Sequence, residues 1–325
     1  MNSSEKLVTF QDIINAQEVI TGHVHKTPLI SSTKLEELLD VNLYLKAEIF
    51  QKMGSFKMRG VLNKLQTLTE KEKNCGVITV SAGNHAQSLA YVCKNRGIQA
   101  VIIMPSYAAT NKVATTKKLG AEVILHKDSH TLLEKLNKTQ AERNLTLVHP
   151  FDDPLIIAGQ GTLGLEILND FSTIPDVVIV PVGGGGLISG VAAAIKLQHP
   201  KVRIIGVEPT GAAAMYESLR TNSVVSLKEI NTIADGLAAP FAGKHTLAHV
   251  KEFVDDIVLV SDEEIIQGIR VLLLQGKLVT EPAGAAGFAA LLAKKIPISQ
   301  DMNIVCVLSG GNIDEGLLKR IISEE

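Results

Sequence analysis

The 325-residue chain has no apolar run long enough to span a bilayer, so no helical membrane segment is expected. Its first residues, Met1-Asn2-Ser3-Ser4-Glu5-Lys6, lead into no apolar h-region, and no secretory leader is expected. Basic charge is not in excess. With 32 Lys and Arg against 34 Asp and Glu, the net charge is −2, which argues against nucleic acid or an anionic membrane as partner. Cysteine is scarce. Cys75, Cys93 and Cys306 are scattered and odd in number, which suits reduced thiols in a cytoplasm rather than disulfides or a zinc site. Two histidine pairs have helical spacing, His126/His130 and His245/His249, but no third ligand accompanies either, so no metal is expected. Repeats, low-complexity tracts and charged tails are missing too. With the sequence ending at Glu325, no added regulatory domain is expected.

What is present is ordinary globular composition, 46% hydrophobic and 20% charged, in a chain long enough for two cores. From residue 77 onward, short β-branched runs alternate with helical patterns. Val77–Val80, Ala100–Met104, Val123–Leu125 and Leu145–Val148 read as strands. Between them Asn84–Arg96, Thr110–Leu119 and His130–Arg143 read as helices, the second stopping at Gly120. The pattern continues through helix Ile156–Asn169, strand Val177–Val182, helix Leu187–Leu197 and strands Arg203–Glu208 and Ile257–Val260. Helix Asp262–Gln275, strand Ile304–Leu308 and helix Asp314–Ile322 close it. Upstream, helix Gln11–Ile20 and strand Leu43–Ala47 must join one of the sheets. Repeated βα order implies parallel strands with right-handed crossovers. The count exceeds one ordinary open sheet, so the expected fold is α/β with two doubly wound parallel-sheet domains and a cleft between them.

Four stretches stand out for chemistry. In Gly54-Ser55-Phe56-Lys57-Met58-Arg59-Gly60 a lysine lies between two large apolar side chains. Desolvation of that kind lowers an ammonium's pKa towards the range in which the amine is nucleophilic and forms Schiff bases with carbonyls. By itself the stretch also reads as a surface lysine at a helix start. Ser81-Ala82-Gly83-Asn84-His85-Ala86-Gln87 joins a strand to a helix, where small residues let amides approach an anion and Asn84 offers a donor, or simply caps the helix. Gly183-Gly184-Gly185-Gly186-Leu187 removes every Cβ from a strand-to-helix loop whose amides then suit a phosphate. A dinucleotide fingerprint fits this loop poorly, because its third glycine falls at Ile188 and Pro209 directly follows the candidate ribose acid Glu208. Ser309-Gly310-Gly311-Asn312 places a serine at the end of the last strand, able to bond a heteroaromatic nitrogen.

Together these features answer the needs of pyridoxal 5′-phosphate: an amine for the aldehyde, amides for the phosphate, a donor for O3′ and a partner for the ring nitrogen.

The sequence resembles the fold-type II pyridoxal-phosphate enzymes, and within them the threonine dehydratase and serine racemase group. The residues that carry the likeness span nearly the whole chain. They are Lys26-Thr27-Pro28-Leu29, Ser55–Gly60, Ser81–Gln87, Gly159-Gln160-Gly161-Thr162, Gly183–Leu187, Glu281-Pro282-Ala283-Gly284 and Ser309–Asn312. The resemblance implies that Lys57 is the Schiff-base lysine with Phe56 beside the cofactor. It gives the phosphate to Gly183, Gly184, Gly185, Gly186 and Leu187, O3′ to Asn84 and the ring nitrogen to Ser309. Ser81, Ala82, Gly83, Asn84 and His85 would receive the amino-acid substrate. It further implies a small domain of residues 53–147 set into a large domain of residues 1–52 and 148–325, and a homodimer or homotetramer.

The implied reaction is loss of water from L-threonine or L-serine, giving 2-oxobutanoate or pyruvate and ammonia. A serine partner would not hold the ring nitrogen protonated, which suits elimination over transamination. Serine racemases carry a second serine where this chain has Ala82, and an asparagine where it has Phe151. Ala82 cannot move a proton, which favours a dehydratase. Of the racemases' divalent-metal site, Glu208 and Ala212 have counterparts, but Ala214 stands where an acid is expected, so no metal is expected there. A 3-hydroxyaspartate dehydratase would need an additional cation, which none of these loops supplies. A non-catalytic cofactor or amino-acid binder is the reading from another class.

Overall fold

A computed structural model describes residues 6–106, 108, 110–128, 131–171 and 173–323. His130, Met1 to Glu5 and Glu325, on which some expectations rest, lie outside the described residues. The larger sheet takes β1 (Leu29–Ser31) and β2 (Asn42–Ala47) from the start of the chain. The smaller follows with β3 (Val77–Val80), β4 (Ala100–Pro105), β5 (Glu122–His126) and β6 (Thr146–Leu147). The chain then returns to the larger sheet with β7 (Val177–Pro181), β8 (Arg203–Pro209), β9 (Asp256–Val260) and β10 (Asn303–Leu308). Strand orders are β1-β2-β10-β7-β8-β9 and β5-β4-β3-β6. Every pairing is parallel except β1 with β2, so the expected parallel sheet is mixed at one edge.

Strand burial explains why the sequence shows runs rather than alternation. Val177 to Pro181 is buried throughout, as a parallel strand covered by helices on both faces must be. Inserting β10 between β2 and β7 puts the loops that follow β7 and β10 side by side at the carboxyl end of the sheet. That is where ligands bind in open α/β sheets.

Several helices lie outside those expected from the sequence: Lys57–Gln66, Ala214–Arg220, Lys244–Phe253 and Pro282–Leu292 among them. In Pro282–Leu292 ten of eleven residues are buried, so no polar face exists to reveal the period. A proline at its first position is the one conventional start mark.

The helix Lys57–Gln66 joins the two units. Met58, Val61, Leu62 and Leu65 enter the core under the smaller sheet, together with Ile20 and Ile156 from outside it. Gly60 lies so close to the helix Pro154–Asp170 that a Cβ on Gly159 would stand 2.6 Å from the Gly60 Cα. Arg59, fully buried, forks onto Glu48 at 2.7 and 2.9 Å and onto Glu166 at 2.7 and 2.9 Å. Lys46 completes the network through Glu166 at 2.8 Å and Asp170 at 3.1 Å. Burial would raise the Glu48 carboxyl, but the Arg59 guanidinium outweighs it and holds the group below its ordinary value. The ionic cluster therefore anchors the turn that presents Lys57.

Candidate active site

Gly54 adopts a φ of +68°, and a Cβ there would collide with the Asn312 side chain. The chain can thus run close beside the Ser309–Asn312 loop. Phe56 N donates to Ser309 O at 3.1 Å and Gly311 N to Gly54 O at 2.9 Å, so the lysine turn and the last loop are laced together. Lys57 opens its helix from this lacing. Its Nζ donates to Pro150 O at 2.8 Å and lies 5.0 Å from the centre of the Phe56 ring. Withdrawal from water pulls the ammonium down to about 8, against the opposing charge of Glu281.

The loop after β3 enters the helix Asn84–Arg96 with Gly83 at the cap position and no side-chain cap bond. Asn84 does not cap its own helix. Its Nδ2 donates to Glu281 Oε1 at 2.5 Å, and its Oδ1 accepts from Asn312 Nδ2 at 2.8 Å. An added Cβ on Gly83 would meet nothing within 4 Å, so this loop borders open space. Ser81 accepts from Gly83 N at 3.3 Å, and Ala82 packs against the core under the smaller sheet. The His85 imidazole is buried and bonded to Val148 O at 3.1 Å. Burial first, then the Lys57 charge, lowers it to about 3 and keeps it neutral.

After β7, the four glycines are required by what surrounds them. A Cβ on Gly184 would come 2.4 Å from the Phe151 ring, and one on Gly183 2.9 Å from the Leu237 Cα. Gly185 takes a φ of +91° and leads into the helix Gly186–Lys196, which no side chain caps. Helix-start amides left without intrahelical partners, beneath a loop without Cβ atoms, are the arrangement that receives a phosphate. Ser309 is buried, and its hydroxyl makes only a long contact of 3.4 Å to Ala283 O, leaving it free to turn to another acceptor. The donor set fits pyridoxal phosphate.

The pattern of a family described as "Pyridoxal-phosphate dependent enzyme" matches residues 20–310. The chain belongs to that family. It is 44% identical over 319 residues to the L-threonine ammonia-lyase of Thermotoga maritima, covering 98% of this chain and 79% of that one. It is 42% identical over 316 residues to the catabolic L-threonine dehydratase of Escherichia coli, covering 97% and 96%. Among solved structures, maize serine racemase superposes with a TM-score of 0.92 at 37% identity, covering 98% of this chain and 97% of that one. Membership brings pyridoxal phosphate as cofactor of this family enzyme.

Two site residues received no role from the sequence. Glu281 is buried and pushed up to about 7, first by burial and next by the nearby Asp235 charge. Asn312 ties Asn84 to Met53 O, its Nδ2 donating to the latter at 2.8 Å. The available mark for Glu281 was a lone acid followed by proline in an otherwise small and apolar stretch.

The histidine pair at 245 and 249 has a structural use. His249 Nδ1 contacts His245 O at 2.7 Å while its Nε2 accepts from Val8 N at 2.8 Å. Glu208 takes the amides of Met215 and Tyr216 at 3.0 and 2.7 Å, capping the helix Ala214–Arg220, and burial pushes it up to about 8. Among the described residues no group of three or more His, Cys, Asp or Glu is placed to hold a metal, and no helix is long and apolar enough to cross a membrane.

Proposed function

We propose that the chain removes water from L-threonine, and from L-serine, to give ammonia and 2-oxobutanoate or pyruvate. The observation that carries this reading is Lys57, a desolvated amine held at 2.8 Å from Pro150 O beside the glycine loop, with Ala82 on the neighbouring loop offering no second acid or base. Relatives of 42 and 44% identity named for threonine dehydration or ammonia release support it.

In this reading Lys57 would hold the cofactor aldehyde, Gly183 to Leu187 its phosphate, Asn84 its O3′ and Ser309 its ring nitrogen, with Phe56 alongside Lys57. Bound pyridoxal phosphate supplies an electron sink that acidifies the hydrogen on the amino acid's Cα. Lys57, neutral, would take that proton, and returning it to the departing β-hydroxyl would let that group leave Cβ as water. Amides of the Ser81–His85 loop, which borders open space, receive the substrate carboxylate. Asn84 is held in one orientation by Glu281 and Asn312, so its donor arrives preorganised. The released enamine becomes the 2-oxo acid and ammonia in water. Three free cysteines suit a cytoplasmic setting, and the expected assembly is a homodimer or homotetramer.

The test is kcat/KM of the purified holoenzyme for L-threonine, L-serine and threo-3-hydroxyaspartate, with D-serine formation followed in parallel. Threonine turnover to 2-oxobutanoate without D-serine supports the reading. Dominant racemisation, or no ammonia from threonine, overturns it.

A further inference from the structure

A charged pair spans the cleft near Glu281. Lys112, on the helix Thr110–Lys118 beside the smaller sheet, donates its Nζ to Asp235 Oδ2 on the other side. Asp235 begins the short turn Asp235–Leu237, and that turn lies inside the site already described. A Cβ on Gly236 would stand 3.7 Å from Glu281 Oε1, and the Leu237 backbone lies directly against Gly183. Both charges act on Glu281, which in turn acts on Lys57 and bonds Asn84. Lys112 is therefore a cation beside the reaction centre, its side chain only 17% exposed, with its charge taken up by Asp235.

We propose that Asp235 sets the substrate class of this cleft by neutralising Lys112: the pair admits neutral β-hydroxy side chains and turns away anionic ones. This rests on the lyase reading above and deepens it. A substrate with a second carboxylate meets two acids, Asp235 and Glu281, and one cation already engaged, so nothing compensates the desolvation of its charge. Removing the Asp235 charge leaves Lys112, itself largely covered, as an unpaired ammonium at the solvent-facing side of the cleft, which is a receiver for a carboxylate. The same acidic side chain that is rejected by the native site then gains a partner.

The experiment uses the holoenzyme and three variants: Asp235→Asn, Lys112→Gln and the double variant. L-Aspartate, which carries the second carboxylate but no β-hydroxyl to lose, serves as a competitive inhibitor of threonine turnover. Relative to the native enzyme, Asp235→Asn is expected to tighten aspartate inhibition by about tenfold and to raise the 3-hydroxyaspartate to threonine ratio of kcat/KM by a similar factor. Lys112→Gln alone leaves Asp235 unpaired and is expected to weaken aspartate inhibition several-fold. The double variant is expected to return near the native ratio. Unchanged aspartate inhibition in both single variants overturns the inference. So does a gain in Asp235→Asn that survives in the double variant. Retention of the cofactor's visible band shows that each variant is folded, and Lys112→Gln decides the matter if Asp235→Asn loses that band. Failure of the native enzyme to release ammonia from threonine would instead strike the lyase reading, with the aspartate measurements still read as binding by displacement of the cofactor's spectrum.

Discussion

Across the cleft, the Asn84 side-chain amide donates to the Glu281 carboxylate at 2.5 Å, joining the loop after β3 to the residue that precedes the helix Pro282–Leu292. The bond fixes which way Asn84 points, and so acts on the cofactor through Asn84. Glu281→Ala removes the acceptor and is expected to weaken pyridoxal-phosphate binding by about tenfold, in line with loss of a supporting hydrogen bond to a ligand-binding group. Glu281→Gln keeps an acceptor oxygen and should restore most of that affinity, measured by cofactor titration of the apoenzyme. Equal losses in both variants would count against a positioning role.

The same residue has a pH signature. Its carboxyl is raised to about 7 in the folded chain from an ordinary value near 4.5. Between those values the folded state binds more protons than the unfolded one, so stability falls as pH rises from about 4.5 to about 7 and is flat beyond, on this group's account. Urea midpoints of the native protein and Glu281→Gln across pH 5 to 8 should converge at the acidic end and separate, in favour of the variant, towards pH 7.

Lys57 titrates in the opposite sense. Its ammonium is lowered to about 8, so the nucleophilic amine of the apoenzyme appears as pH rises through that value. Stopped-flow capture of pyridoxal phosphate should accelerate through pH 8 and level off above 9. A rate still climbing at pH 10 would mean that the amine is not desolvated. Lys57→Ala should abolish both the visible band and 2-oxobutanoate release.

Phe151 fills the space beneath Gly184, where an added methyl would come 2.4 Å from its ring. Gly184→Ala should therefore displace the loop, cost about 1–3 kcal/mol of stability and weaken cofactor retention. Shortening the neighbour, in Gly184→Ala/Phe151→Leu, should recover part of both, as a thermal melt and a cofactor titration can check.

Among the described residues Arg59 is the cation paired with Glu48, and both lie out of water. Arg59→Met leaves two carboxylates, Glu48 and Glu166, without it, and should cost about 3–5 kcal/mol. Unfolding by urea reads this directly. The loss of stability should exceed that of any surface charge removed, such as Lys138 beside Glu142.

The sequence by itself determined the βα alternation, the lysine turn, the glycine loop and the serine at the last strand end. Each is encoded within a few neighbouring residues, by hydrophobic period, glycine content or a side chain set among apolar neighbours. It also placed Phe151 in a telling position without saying why, and it supplied no cation for the cleft. Only the tertiary structure decided that Asn84 orients on Glu281, 197 residues away, rather than capping its own helix. It alone put Phe151 under Gly184 and brought Lys112 to Asp235. The reason is the insertion of β10 between β2 and β7, with the smaller sheet built from an intervening stretch of chain. Partners that meet by such a crossover share no local spacing, and a buried acid such as Glu281 looks in sequence like any exposed one until its surroundings are assembled.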